Sequence, residues 1–151
     1  MTVNEIMKKD VATCRPQDDL SVAAKLMRDR DCGFLPVVDA NGVVAGVITD
    51  RDLGIAVGAN TRAAERISVE EVMSRPVFGC FAEDNVKTVL ATMAKHRVRR
   101  LPVLERQYGH LRGVLSLDDI ARASRRRGAP TNGDIVDAFR HIAAPALVTE
   151  T

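Results

Sequence analysis

Two short stretches hold the residue types from which a ligand site could be built. Residues 46–53 read GVITDRDL and residues 113–120 read GVLSLDDI. Each opens on a glycine, places a hydroxyl three residues on (Thr49, Ser116) and a carboxylate three beyond that (Asp52, Asp119). A hydroxyl at the point where an apolar run turns into a helix lies beside the free amides of the first turn, a setting that suits phosphate or another anion. A carboxylate one turn later can accept hydrogen bonds from a ligand diol, each charge-assisted bond contributing roughly 1.5–3 kcal/mol. The same residues serve equally as helix caps, in which role they would only satisfy orphan amides. The spacing leaves both readings open.

No other constellation competes. The chain has no GxSxG elbow, P-loop or HExxH, and no sequence-local cysteine–histidine pair that suggests a nucleophile. Cys14, Cys32 and Cys80 match no metal-ligand spacing, and an odd number argues against a disulfide framework. His96, His110 and His141 are dispersed. No metal site is expected, and the thiols are expected to be free and mostly buried.

The surrounding sequence recurs as well. A shift of 66 positions lays Val3, Glu5, Met7, Val11 and Cys14 onto Val69, Glu71, Met73, Val77 and Cys80, and it continues through Leu35-Pro36-Val37 onto Leu101-Pro102-Val103. After one inserted residue, Gly46, Val47 and Asp52 fall on Gly113, Val114 and Asp119. A repeat of this length defines the architecture. The predicted organisation is a first repeat over 1–62, a second over 63–127 and a tail over 128–151. Neither repeat alone would bury much core, so the two are expected to pack about a pseudo-twofold axis.

Within each repeat, an extended stretch (DVATC, PVFGC) precedes a helix with Asp18 or Asp84 as its expected N-cap. Leu20, Ala23, Ala24 and Met27, then Val86, Val89, Leu90 and Met93, trace one apolar helical face. Gly33 is the expected stop of the first helix. FLPVVD and RLPVLE read as strands whose proline belongs at a strand start or edge. VVAGVITD and LRGVLSLD read as second strands buried on both faces, each followed by a helix. In the tail, Ile135, Val136, Phe139 and Ile142 mark a short amphipathic helix bounded by Pro145, covering either the core or a dimer seam.

With 46% apolar and 28% charged residues the chain is that of a globular protein with a real core. A formal charge of +2 is too small to imply nucleic acid or an anionic membrane as partner. The run Arg125–Arg127, without interleaved aromatics, reads as a solvated helix end. No apolar run approaches the roughly 18–20 residues of a spanning helix. MTVNEIMKKD has no secretory h-region, so a cytoplasmic location is expected.

LPVV followed by GVITDRDL, and RLPVL followed by GVLSLDDI, together resemble the cystathionine-β-synthase (CBS) domain, and the doubled unit resembles a CBS pair, or Bateman module. The tail is similar to those of small stand-alone bacterial CBS-pair proteins, including hypoxia- or stress-associated ones. The resemblance implies an α/β (α+β) fold of two β-α-β-β-α repeats, with a short C-terminal helix and two related clefts. In the family such clefts often bind AMP, ADP or ATP, and less often NAD, S-adenosylmethionine or cyclic dinucleotides such as cyclic di-AMP. By the motif, Asp119 with Ser116, and Asp52 with Thr49, would hold the ribose. The resemblance adds Asp10 and Ala12 to the Asp119 cleft with neighbouring Asp118, and Pro76 and Phe78 to the Asp52 cleft. Arg99 and Arg100, before the second Leu-Pro, would bind phosphate in the Asp119 cleft, with Lys9 nearby. The Asp52 cleft would have Arg51 as its cation, beside Gly33 and Phe34. The Asp119 cleft is therefore expected to be the tighter one.

These implications define a regulatory sensor, a homodimer without catalysis of its own, acting on a separate effector protein. The competing reading is a ligand-free structural or protein-interaction homodimer in which Asp52 and Asp119 only cap helices. An enzyme acting on nucleotides ranks last.

Overall fold

The computed structural model describes residues 1–145. The first repeat forms α1 (Leu20–Asp29), β1 (Phe34–Val38), β2 (Val44–Thr49) and α2 (Asp50–Gly58). The second follows with α3 (Val69–Val72), β3 (Cys80–Phe81), α4 (Val86–His96), β4 (Arg100–Leu104), β5 (Leu111–Ser116) and α5 (Leu117–Ala123). A last helix, α6, spans Asn132–Ala143. The order helix, strand, strand, helix thus occurs twice. Among the described residues no helix is long and apolar enough to cross a membrane.

α1 and α4 are amphipathic and bury the expected stripe: Leu20, Ala23 and Met27 in one, Val86, Val89, Leu90 and Met93 in the other. Burying each large side chain contributes roughly 1.5–3 kcal/mol. Ala24 is the exception and is exposed, because it lies at the margin of a narrow stripe. The caps lie one residue later than expected. Asp19 accepts from the amides of Ser21 and Val22, and Asn85 from that of Lys87. Asp18 and Asp84 instead close the turn before each helix, accepting from the amides of Arg15 and Phe81. Gly33 does not end α1 either. The left-handed residues are Asp31 (φ 46°) and Arg97 (φ 57°), at equivalent positions. One residue on, Cys32 and Val98 donate back to Met27 and Met93, at 3.0 Å each. Gly33 lacks a Cβ for another reason: one would stand 2.6 Å from Asp50 Oδ2.

β1 and β2 pair antiparallel, and β4 lies between parallel β3 and antiparallel β5. In the first repeat the place of β3 is taken by a single parallel bridge from Cys14 to Val37. Both strand prolines therefore sit inside strands with neighbours on each side, not at a start or edge. They are tolerated because pairing with the preceding segment begins at the proline carbonyl: Cys14 N–H donates to Pro36 O, and Val38 N–H returns to Cys14 O. The ring nitrogen lies just ahead of that ladder. β5 is buried along its last four residues, but β2 alternates buried and half-buried, its half-buried side bordering a cleft.

The two repeats exchange their leading segments. Val3 packs in the core of the second repeat, and Lys8 exchanges backbone hydrogen bonds with Val114 of β5, 2.9 Å each way. Reciprocally, Ile67, Val69 and Met73 complete the core of the first, and Ser74 pairs with Val47 of β2. The motif glycines follow from this crossing. A Cβ on Gly113 would lie 2.4 Å from Lys8 O, and one on Gly46 2.6 Å from Met73 Sδ. A boundary at 62/63 separates the sequence repeats but not the packed cores. The hairpin tips also meet, through a Val43–His110 bridge. Ala138 and Ile142 of α6 join the core of the second repeat, so this helix covers a core. Val136 and Phe139, expected on its buried face, are exposed. Residues 146–151 of the tail lie outside the described residues.

Candidate functional site

Thr49 and Ser116 end their β-strands and cap the helices that follow. Asp52 N–H donates to Thr49 Oγ1 at 3.2 Å, and Thr49 N–H donates to Asp52 Oδ2 at 2.9 Å. The second repeat does the same, at 3.1 Å from Asp119 N–H to Ser116 Oγ and 2.9 Å from Ser116 N–H to Asp119 Oδ2. Both motifs are thus capping boxes, the reciprocal pairing that satisfies two orphan amides.

Beyond the cap the two differ. Ser116 Oγ donates to Asp119 Oδ2 at 2.6 Å, and Arg122 Nη2 donates to Asp119 Oδ1. Both oxygens of Asp119 are therefore engaged, in a side chain only 5% exposed. Asp52 is half-buried, and among the described residues nothing donates to its Oδ1.

Each motif borders a cleft between the repeats. The Asp52 cleft encloses about 710 Å³ and the Asp119 cleft about 250 Å³. Ligand pockets fall at roughly 300–1,000 Å³, a range only the first reaches. Thr49, Arg51, Asp52, Pro76 and Phe78 come together in the larger cleft, and Asp10, Ala12, Ser116, Asp118 and Asp119 in the smaller. Each motif thus lines a cleft together with the other repeat's leading stretch.

Contrary to expectation, the arginines do not both fall in the Asp119 cleft. Arg99 lines the Asp52 cleft, and Arg100 borders both. Successive residues of an extended chain point to opposite sides. Arg100 pairs with Ser116 across the sheet, whereas Arg99, one residue earlier, turns away and lies 5.2 Å over the ring of Phe139. Gly33 correspondingly borders the Asp119 cleft, Phe34 both, and Lys8 stands there in place of Lys9.

Arg75 and Arg97, which the motif does not include, also line the larger cleft. With them the larger cleft carries five guanidiniums, against the carboxylates of Asp50 and Asp52. The smaller cleft sets Lys8, Arg30, Arg100 and Arg122 against Asp10, Asp31, Asp118 and Asp119. An Arg30–Asp10 ion pair at 3.0 Å lies in it. The repeat alignment carried the signal: Arg51 stands opposite Asp118, and Arg97 opposite Asp31. The larger cleft also has an aromatic wall, since Phe78 stacks on His96 with centroids 3.9 Å apart. Ile142 of α6 completes its rim.

Cys14 and Cys80 are buried, and burial, followed by the nearby carboxylates of Asp18 and Asp84, pushes each thiol up to about 12. Neither is a nucleophile near neutral pH. Among the described residues no three histidine, cysteine, aspartate or glutamate side chains are grouped so as to hold a metal ion.

A CBS pair is the class that this exchanged double repeat and its two clefts define. The CBS-domain family model matches residues 3–57 and 69–126, and the chain belongs to that family. It is 33% identical over 120 residues to the CBS domain-containing protein YhcV of Bacillus subtilis, covering 80% of this chain and 83% of that protein. To hypoxic response protein 1 of Mycobacterium tuberculosis it is 31% identical over 124 residues, again 80% and 83%. Among solved structures, the CBS domain pair of protein MJ0100 in complex with methylthioadenosine and S-adenosyl-L-methionine superposes with a TM-score of 0.74. That match has 28% identity and covers 81% of this chain and 94% of that one.

Proposed function

We propose that this chain is a regulatory CBS-pair module that binds an adenosine nucleotide in the Asp52 cleft and passes the bound state to a separate protein. The observation that carries the reading is the unengaged Oδ1 of Asp52, a residue that lines a cleft with five guanidiniums. Oδ1 and the Thr49 hydroxyl suit a ribose diol, Phe78 offers a ring face to a base, and Arg51, Arg75, Arg97 and Arg99 suit phosphates, which guanidiniums bind through paired donors. AMP, ADP and ATP fit this charge better than uncharged or cationic adenosine compounds. The adenosine ligands of the MJ0100 pair support the same class.

The route outward is α6, because Arg99 both lines the cleft and rests on Phe139. Phosphates that draw Arg99 into the cleft release that contact, and the ligand biases α6 only by its differential affinity for the two arrangements. The module acts as a cytoplasmic homodimer and without turnover. The competing reading, a ligand-free interaction homodimer, draws on the two complete capping boxes. Thermal-shift measurements with AMP, ADP, ATP and S-adenosylmethionine separate the two. A ligand at 100 times its Kd adds about 2.7 kcal/mol, or about 5–10 °C for a chain of this size. No shift with any of the four leaves the ligand-free reading.

A further inference from the structure

The two motifs share a hydroxyl and a carboxylate, yet three residues past the carboxylate the repeats diverge, with Ile55 in the first and Arg122 in the second. Resting on the reading that a motif carboxylate holds the ligand's diol, we infer that Arg122 masks the Asp119 cleft, so that the chain takes one nucleoside ligand, at Asp52. Arg122 fills Asp119 Oδ1, while Ser116 fills Oδ2 with both its amide and its hydroxyl. A diol arriving there must share Oδ1 with the guanidinium or displace it, and finds no free hydroxyl proton. At the first motif, Thr49 Oγ1 accepts the cap bond, and its own proton goes to no described residue.

The mask is a local ion pair and not a rigid wall, since the Arg122 side chain is 63% exposed. Its removal has a charge consequence. The smaller cleft balances four cations against four carboxylates, and without Arg122 the carboxylates predominate. The unmasked cleft therefore accepts an uncharged nucleoside and still repels a nucleotide.

Isothermal titration with adenosine and with ADP tests this on the full chain and on Arg122→Ala and Arg122→Ile, the latter restoring the residue of the first repeat. Each protein is also prepared with Asp52→Ala. The expected stoichiometry for adenosine is one per chain in the wild type, two in either Arg122 variant, none in Asp52→Ala and one in the double variants. For ADP it stays at one in the wild type and in the Arg122 variants. Two adenosines on the wild type, or one on the wild type and still only one on both Arg122 variants, overturn the mask. A wild type that takes none while Arg122→Ala takes one supports the mask and sinks the Asp52 reading alone. If no protein takes adenosine the mask is overturned, and the ADP titration of the wild type reports separately on the Asp52 cleft.

Discussion

Replacing the two motif aspartates one at a time separates capping from binding, because the structure assigns them different loads. Asp52→Ala removes one acceptor, that of the Thr49 amide. The Thr49 hydroxyl still caps α2, and the half-buried amide can turn to water. The stability cost is about 1 kcal/mol, a fall of about 2–4 °C in the unfolding midpoint. The same substitution deletes the Oδ1 of a residue that lines the larger cleft. One charge-assisted bond contributes about 1.5–3 kcal/mol, so the Kd for ADP rises roughly 10- to 150-fold.

Asp119→Ala does the opposite. It strands the Ser116 amide and hydroxyl at a site where Ser116 is 9% exposed, and unsatisfied buried groups cost about 1–3 kcal/mol each. Arg122, freed from its partner, returns to water at little cost. The sum is about 2–6 kcal/mol, or about 4–24 °C, with the Kd for ADP unchanged within about twofold. Scanning fluorimetry reads the stabilities and isothermal titration the affinities. A loss of ADP binding in Asp119→Ala that spares Asp52→Ala would refute the reasoning from free oxygens and guanidiniums.

Three further outcomes follow from the packing and the titrating groups. A fragment of residues 1–62 lacks Ile67, Val69 and Met73, which complete the first core; it is expected to show no cooperative melt by circular dichroism, and a sharp transition would contradict the exchange of segments. Asp19, Glu5, Glu71 and Asp134 are held below their ordinary 3.8 or 4.5, by the Ser21 hydroxyl at Asp19 and by the backbone amides of Thr2, Ser68 and Thr131 at the others. Groups depressed in the folded state stabilise it above the ordinary value and lose that effect as pH falls through the folded one. The melting midpoint is therefore expected to be level near neutrality and to drop below about pH 4, less steeply in Asp19→Ala; an equal slope in that variant would count against the cap. Iodoacetamide at pH 8 is expected to label Cys32, which is half-buried, and to spare Cys14 and Cys80 until the chain unfolds; native labelling of all three thiols would contradict their burial.

Much of this molecule could be read from local pattern, and the rest failed for definite reasons. The faces of α1 and α4 were legible because burial recurs with the helical period, and the tail helix because Pro145 bounds it. Asp18 and Asp84 misled because a carboxylate that closes a turn and one that caps the next helix look alike one residue apart. Pro36 and Pro102 misled because a strand rule assumes a long ladder, and here the neighbouring segment pairs only from the proline carbonyl onward. The exchange of leading segments was beyond local reading. Val3 lies 83 residues from the Val86 it packs with, and equivalent residues in two repeats offer no local reason to prefer one partner over the other. The assignment of Arg99 failed at the same step, since it turns on which cleft each face of β4 addresses.

Capping and binding looked like alternatives only while the carboxylate was counted as one group. It has two acceptor oxygens, and the box needs one of them. In both repeats Oδ2 holds the cap, fixing the start of the helix and the direction of the side chain. What reaches Oδ1 is set by the neighbouring sequence: three residues on stands an isoleucine after Asp52, whose Oδ1 takes no bond from a described residue, and after Asp119 an arginine that donates to Oδ1. The cap is a precondition of the site, because a carboxylate held by its own helix presents a fixed oxygen to a ligand without losing side-chain freedom on binding. The repeat supplies two such carboxylates, and divergence at Arg51, Arg97 and Arg99 against Asp118, Asp31 and Gly33 leaves an excess of guanidiniums over carboxylates around only one of them.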